Sequence, residues 1–178
     1  MNNIKNKLKF ASLLLCFCSV LTFAFARNFD NCNHYNFKWF GIKIYDVYLC
    51  SDDIKNINPS NLYSNNFSLV IIYDKAFDKE RLTKRSITEM QKYHTLKDQS
   101  YYYNKLLEVF VDVKKLDTIE AKYKIVAKNG TKKAVVEFYY NNNLTGIIED
   151  KIFAEMFLNI WLHPKNNYKN MHKDLFKI

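Results

Sequence analysis

Arg85 is the residue in this chain best suited to grip an anion. Its planar guanidinium can take a carboxylate through two parallel hydrogen bonds, and the helical spacing of Leu82, Ser86, Ile87 and Met90 puts it at the flank of an apolar face. Glu89 lies four residues on, so an i,i+4 ion pair worth roughly 0.2–0.5 kcal/mol competes for the same group. Tyr45 and Tyr140 can offer phenol donors to a cleft, or fill a core with their hydroxyls at its rim. His34, His94, His163 and His172 show no ligand spacing and no cysteine or carboxylate cluster beside them, so no metal is expected. Ser86 is far in sequence from a base, which argues against a nucleophilic triad. The three glycines, Gly41, Gly130 and Gly146, are too scattered for a dinucleotide turn, a phosphate loop or a nucleophile elbow. No cofactor is expected.

The compartment follows from the first 26 residues. Lys5, Lys7 and Lys9 precede an apolar run from Phe10 to Phe25 that ends in Ala24-Phe25-Ala26. A basic start, a short apolar stretch and a small-x-small site read as a secretory signal cleaved after Ala26, whereas a span needs about 20 apolar residues. The predicted organisation is a signal peptide over 1–26 and a single domain over 27–178, periplasmic or secreted, with no membrane span after cleavage. The net charge of +9 falls on cleavage, since the signal carries three lysines and no acid. The remaining lysines are scattered, and an exported chain seldom meets nucleic acid, so no nucleic-acid partner is expected; a weak pull on anionic ligands or lipid headgroups stays open. Cys32 and Cys50 are the cysteines left after cleavage. In an oxidising compartment they form a bridge, or they stay as two buried thiols.

These side chains need elements to position them. Phe37 to Leu49 and Phe67 to Tyr73 are rich in aromatic and β-branched residues and read as strands. Asp78 caps an amphipathic helix predicted to run to about His94, and a second starts at Asp98. From Thr118 the period changes to two, with Ile119, Ala121, Tyr123 and Ile125 alternating against Glu120, Lys122 and Lys124. Asn129-Gly130 turns the chain into Ala134 to Tyr140, and Asn141-Asn142-Asn143 into Leu144 to Ile148. Glu149 and Asp150 open an almost wholly apolar helix through Trp161, which Pro164 ends, and Asn167 caps a short last helix. The class is α+β: a curved antiparallel sheet covered by helices on one side, lined with enough aromatics to enclose a pocket or to pack solid.

Five segments, in order, resemble the chalcone isomerase-like proteins, in particular their exported bacterial branch. Gly41-Ile42-Lys43-Ile44-Tyr45-Asp46-Val47-Tyr48-Leu49 is similar to a "VYDAxLY" strand, and Phe67 to Tyr73 follows it. Lys84-Arg85-Ser86-Ile87-Thr88-Glu89-Met90 is similar to "RSIEEM". Tyr139 to Ile148 is similar to "YNGxxxGTI", and Phe157 to Lys165 to "FFGIWLSPKT". The resemblance implies an open-faced sandwich with a cleft between sheet and helices. It also implies a choice between cyclising isomerases and fatty-acid binders that do not catalyse. In the cyclising enzymes an early-strand arginine and a nearby threonine stabilise the developing enolate. Here no arginine lies between Arg27 and Arg81 and no threonine between Thr22 and Thr83.

The expected function is accordingly that of a non-catalytic, periplasmic protein taking a small apolar or amphipathic anion such as a fatty acid, with Arg85, Tyr45 and Tyr140 as candidate ligand contacts. One alternative is an isomerase, an intramolecular lyase, using Arg85 and a tyrosine. The other is a solid-cored protein acting through its surface.

Overall fold

A computed structural model describes residues 28–178 apart from Asn129, Asn167 and Lys169. The expected signal peptide and the Asn167 cap lie outside the described residues.

Six strands form one antiparallel sheet in chain order: β1 (Cys32–Trp39), β2 (Ile42–Cys50), β3 (Phe67–Tyr73), β4 (Thr118–Lys128), β5 (Thr131–Tyr140) and β6 (Asn143–Ile148). Helices α1 (Lys79–Met90) and α2 (Gln99–Val109) connect β3 to β4, and α3 (Lys151–Leu162) and α4 (Met171–Phe176) follow β6. The α+β class expected from the change of period is the one observed. Each long helix starts where a carboxylate can meet its unsatisfied N–H groups. Asp78 accepts from the Arg81 N–H at 2.7 Å, Asp98 from Tyr101 at 2.9 Å and Asp150 from Phe153 at 3.0 Å. The first helix stops at Met90, short of His94, because the chain tightens into turns in which the Tyr93 and His94 N–H groups both reach the Met90 carbonyl.

The segment read as one strand over Phe37 to Leu49 is two. A hairpin at Phe40-Gly41 divides it, with φ of 47° and 80°, the left-handed pair that a two-residue turn requires. Cys32 and Cys50 face each other across the open end of that hairpin with Cα atoms 4.1 Å apart, and they are joined as a disulfide.

Strand parity sets the core. Val47, Ile71 and Ile119 are register partners on one side of the sheet. Phe153, Phe157, Leu158 and Trp161 of α3 are buried in the same cluster. At Gly146 in β6 the end of α2 leaves no room for a side chain: a Cβ there would sit 2.5 Å from Val109 Cγ1. On the last helix, Asn33 of β1 donates to the Leu175 carbonyl at 2.9 Å, tying the C-terminal end of the chain to the edge strand. Among the described residues no helix is long and apolar enough to cross a membrane.

Candidate functional site

The core is not solid. Between the helix-facing side of β1 to β4 and helices α1 and α3 lies a cavity of about 520 Å³, within the range of small-molecule sites. Ile71, Ile119, Phe110 and Phe157 make its apolar body. Its polar edge comes from the outer turns of α1, where Arg81, Lys84, Arg85 and Glu89 line it together with Tyr168. Among the described residues, three cations therefore stand against one carboxylate on the cavity wall.

That edge is a connected network. Arg85 Nη2 lies 2.6 Å from Glu89 Oε1 and donates to the Tyr168 hydroxyl at 3.0 Å. The Tyr168 hydroxyl in turn donates to Glu89 Oε1 at 2.9 Å, and Lys92 Nζ donates to Glu89 Oε2 at 2.7 Å. Glu89 is only 3% exposed while Arg85 is 55% exposed, so the carboxylate is held inside and the guanidinium remains wet. Burial, set against the hydrogen bond from Arg85 and reinforced by Glu89, pushes the Tyr168 phenol up to about 12.

Deeper in, the Trp161 indole N–H donates to the Tyr45 hydroxyl at 3.1 Å. Among the described residues Tyr45 accepts this bond and donates none, so its hydroxyl keeps a donor proton at the wall of the cavity it lines. Burial raises the Tyr45 phenol well above its ordinary range, the Trp161 bond offsetting part of this. Burial alone raises Tyr73. The tyrosines of this site stay protonated at neutral pH: they are donors, not phenoxide bases.

Of the three residues singled out by sequence, Arg85 and Tyr45 line this cavity and Tyr140 does not. Tyr140 pairs with Ile119 in the sheet register and so shares the cavity's face. Its hydroxyl, however, is donated to Asp117 at 2.8 Å, in a carboxylate knot that Asn141 and the Lys114 N–H also join. Tyr140 was expected as a ligand contact; the structure places its hydroxyl in a turn-fastening bond at the sheet end. Glu89 was legible only as a partner for Arg85, Trp161 only as a core residue, and Tyr168 carried no signal in its asparagine- and lysine-rich surroundings.

No family model matches the chain, and no curated protein matches it at a significant level. Among solved structures, the fold is similar to the crystal structure of a fatty-acid binding protein from Arabidopsis thaliana. The TM-score is 0.55 over 82% of this chain and 83% of that one, at 11% sequence identity. The fold is chalcone isomerase-like. At that identity the likeness carries architecture, and the site must be argued from its own residues.

Proposed function

We propose that this chain is an exported, non-catalytic binding protein whose cavity takes a small amphipathic anion with a long apolar body, a fatty acid being the simplest example. The observation that carries the reading is the cavity itself, about 520 Å³ of apolar-walled space with, among the described residues, three cations and one carboxylate at its edge. Each methylene moved from water into such a space contributes about 0.8 kcal/mol, so an acyl chain supplies the affinity and the cationic edge supplies orientation. The fold's likeness to a fatty-acid binding protein supports the same ligand class. Export, as in the bacterial branch that the sequence resembles, is supported by the Cys32–Cys50 disulfide, a bond that persists in oxidising compartments.

The isomerase alternative asks Arg85 and a tyrosine to stabilise an enolate. Burial raises the phenols of Tyr45 and Tyr73, and such phenols are poorer proton donors to a reacting carbon or oxygen. The test is a titration of delipidated protein with a fluorescent fatty acid, together with native mass spectrometry of the protein as purified. Saturable one-to-one binding displaced by palmitate is expected. Absence of saturable binding, or turnover of a chalcone by the purified protein, overturns the reading.

A further inference from the structure

The tip of the β1–β2 hairpin carries three exposed large apolar side chains. Trp39 is 52% exposed, Phe40 88% and Ile42 56%, in near succession. Trp39 sets its ring edge-on to Phe40 at 5.1 Å, so the two form one aromatic wedge.

Nothing in the fold asks for that chemistry. The turn needs positive φ at both central residues, which favours asparagine, aspartate or glycine, and a bulky side chain there is a conformational outlier. The same chain makes a closely similar backbone turn between β5 and β6 with Asn141 and Asn142, at φ of 46° and 69°. At the first hairpin it holds a phenylalanine at φ 47° instead, aimed into solvent. The polar solution was available and is used elsewhere.

The surroundings say what the wedge meets. Lys38, beside it, is exposed, as are Arg81 and Lys84 on α1. None of these three has a carboxylate partner among the described residues. Asp46 of β2 is matched by Lys43 at 2.6 Å and Asp74, just after β3, by Lys115 at 3.9 Å, while Glu80 beside Arg81 is exposed. Trp39, Arg81 and Lys84 all line the cavity, so wedge, cations and cavity mouth belong to one continuous surface. Aromatic residues flanked by basic ones suit the headgroup layer of a bilayer carrying anionic lipid.

We propose that the Trp39-Phe40-Gly41-Ile42 hairpin tip docks this protein on an anionic lipid surface, with the cavity mouth turned toward the bilayer. Exchange of an acyl ligand between bilayer and cavity rests on the function proposed above; docking itself does not, and is measured separately.

The experiment is co-sedimentation of the full protein with vesicles of equimolar phosphatidylcholine and phosphatidylglycerol, and with phosphatidylcholine alone. Wild type should partition onto the mixed vesicles and much less onto the neutral ones. Phe40→Asn should cut that partitioning about tenfold, from the loss of one inserted aromatic, and Lys38→Glu about fivefold or more. Phe40→Asn suits the turn better than the native residue, so its Tm should hold or rise, which separates docking from folding. Its affinity for a soluble fluorescent fatty acid should be unchanged.

Equal vesicle binding by Phe40→Asn, equal binding to both lipid mixtures, or no binding to either overturns the proposal. So does concentration-dependent dimerisation that Phe40→Asn abolishes, which would assign the wedge to a second copy. Vesicle binding through the tip without any fatty-acid binding would sink the cavity's function and leave the docking intact.

Discussion

Glu89→Gln should make the site bind a fatty acid more tightly, not less. Glu89 is buried and holds Arg85 at 2.6 Å and Lys92 at 2.7 Å, so its charge opposes any ligand carboxylate that reaches for the same guanidinium. A carboxylate sharing Arg85 with Glu89 would sit about 5 Å from it; at that distance Coulomb repulsion is about 0.8 kcal/mol in water and about 3 kcal/mol at an effective dielectric of 20. Arg85 is more than half exposed, which places the site near the wet end of that range. Removing the charge should therefore gain about 1–2 kcal/mol, roughly five- to thirtyfold in Kd. The fold should tolerate the change: glutamine still accepts a hydrogen bond, and Arg85 and Lys92 can take up water, so the stability cost is about 1 kcal/mol. Displacement of a fluorescent probe by palmitate measures the effect, with the neutral alcohol of equal chain length as control. The gain must be confined to the acid. An unchanged or weakened palmitate affinity in a variant with near-native Tm, or an equal gain for the alcohol, would refute a carboxylate seated beside Arg85.

Three further outcomes can be checked independently of the ligand. Gly146→Ala should lower stability by about 1–3 kcal/mol through overpacking, because its Cβ would press on Val109 Cγ1; adding Val109→Ala should recover part of the loss in chemical denaturation. The mature chain should weigh two hydrogens less without reductant than with it, and replacing Cys32 and Cys50 by alanine should cost about 3 kcal/mol by loop-closure entropy. Stability should fall as pH drops through and below the ordinary carboxylate range. The folded-state pKa values of Asp46, Asp117 and Glu137 are lowered: burial would raise each, but hydrogen bonds outweigh it, from Lys43, His34 and Asn36 to Asp46, from Asn141, the Lys114 N–H and Tyr140 to Asp117, and from Lys124 and Tyr139 to Glu137. The unfolded chain then takes up protons first, so the stabilisation is complete above the unfolded values and disappears below the folded ones. A thermal melt series should show a Tm falling from pH 5 to pH 2, and Asp117→Asn should flatten that fall.

What could be read from sequence divides along the distance over which each interaction acts. Helix starts are local, decided by a carboxylate and the N–H three residues on, and Asp78, Asp98 and Asp150 all serve as caps. Strand faces are local too: the alternation names Ile119, Ala121 and Tyr123 as one buried side of β4, although Glu120 on the other side is buried as well. The β1–β2 turn escaped because a phenylalanine at φ 47° looks like strand interior, and Cys32 to Asn36 escaped because an edge strand can spend polar residues, as His34 and Asn36 do on Asp46 at 2.9 and 2.8 Å. The site divides in the same way. Arg85 with Glu89 is one helical turn and could be seen in advance. The Tyr45–Trp161 bond spans 116 residues and the Arg85–Tyr168 bond 83, and each depends on how helices dock on a sheet whose register is itself non-local. Tyr140 marks the boundary between the two. The sheet register puts it on the cavity's face, but the direction of its hydroxyl was decided by Asp117, 23 residues earlier, where a turn needing a carboxylate acceptor drew it away from the cavity.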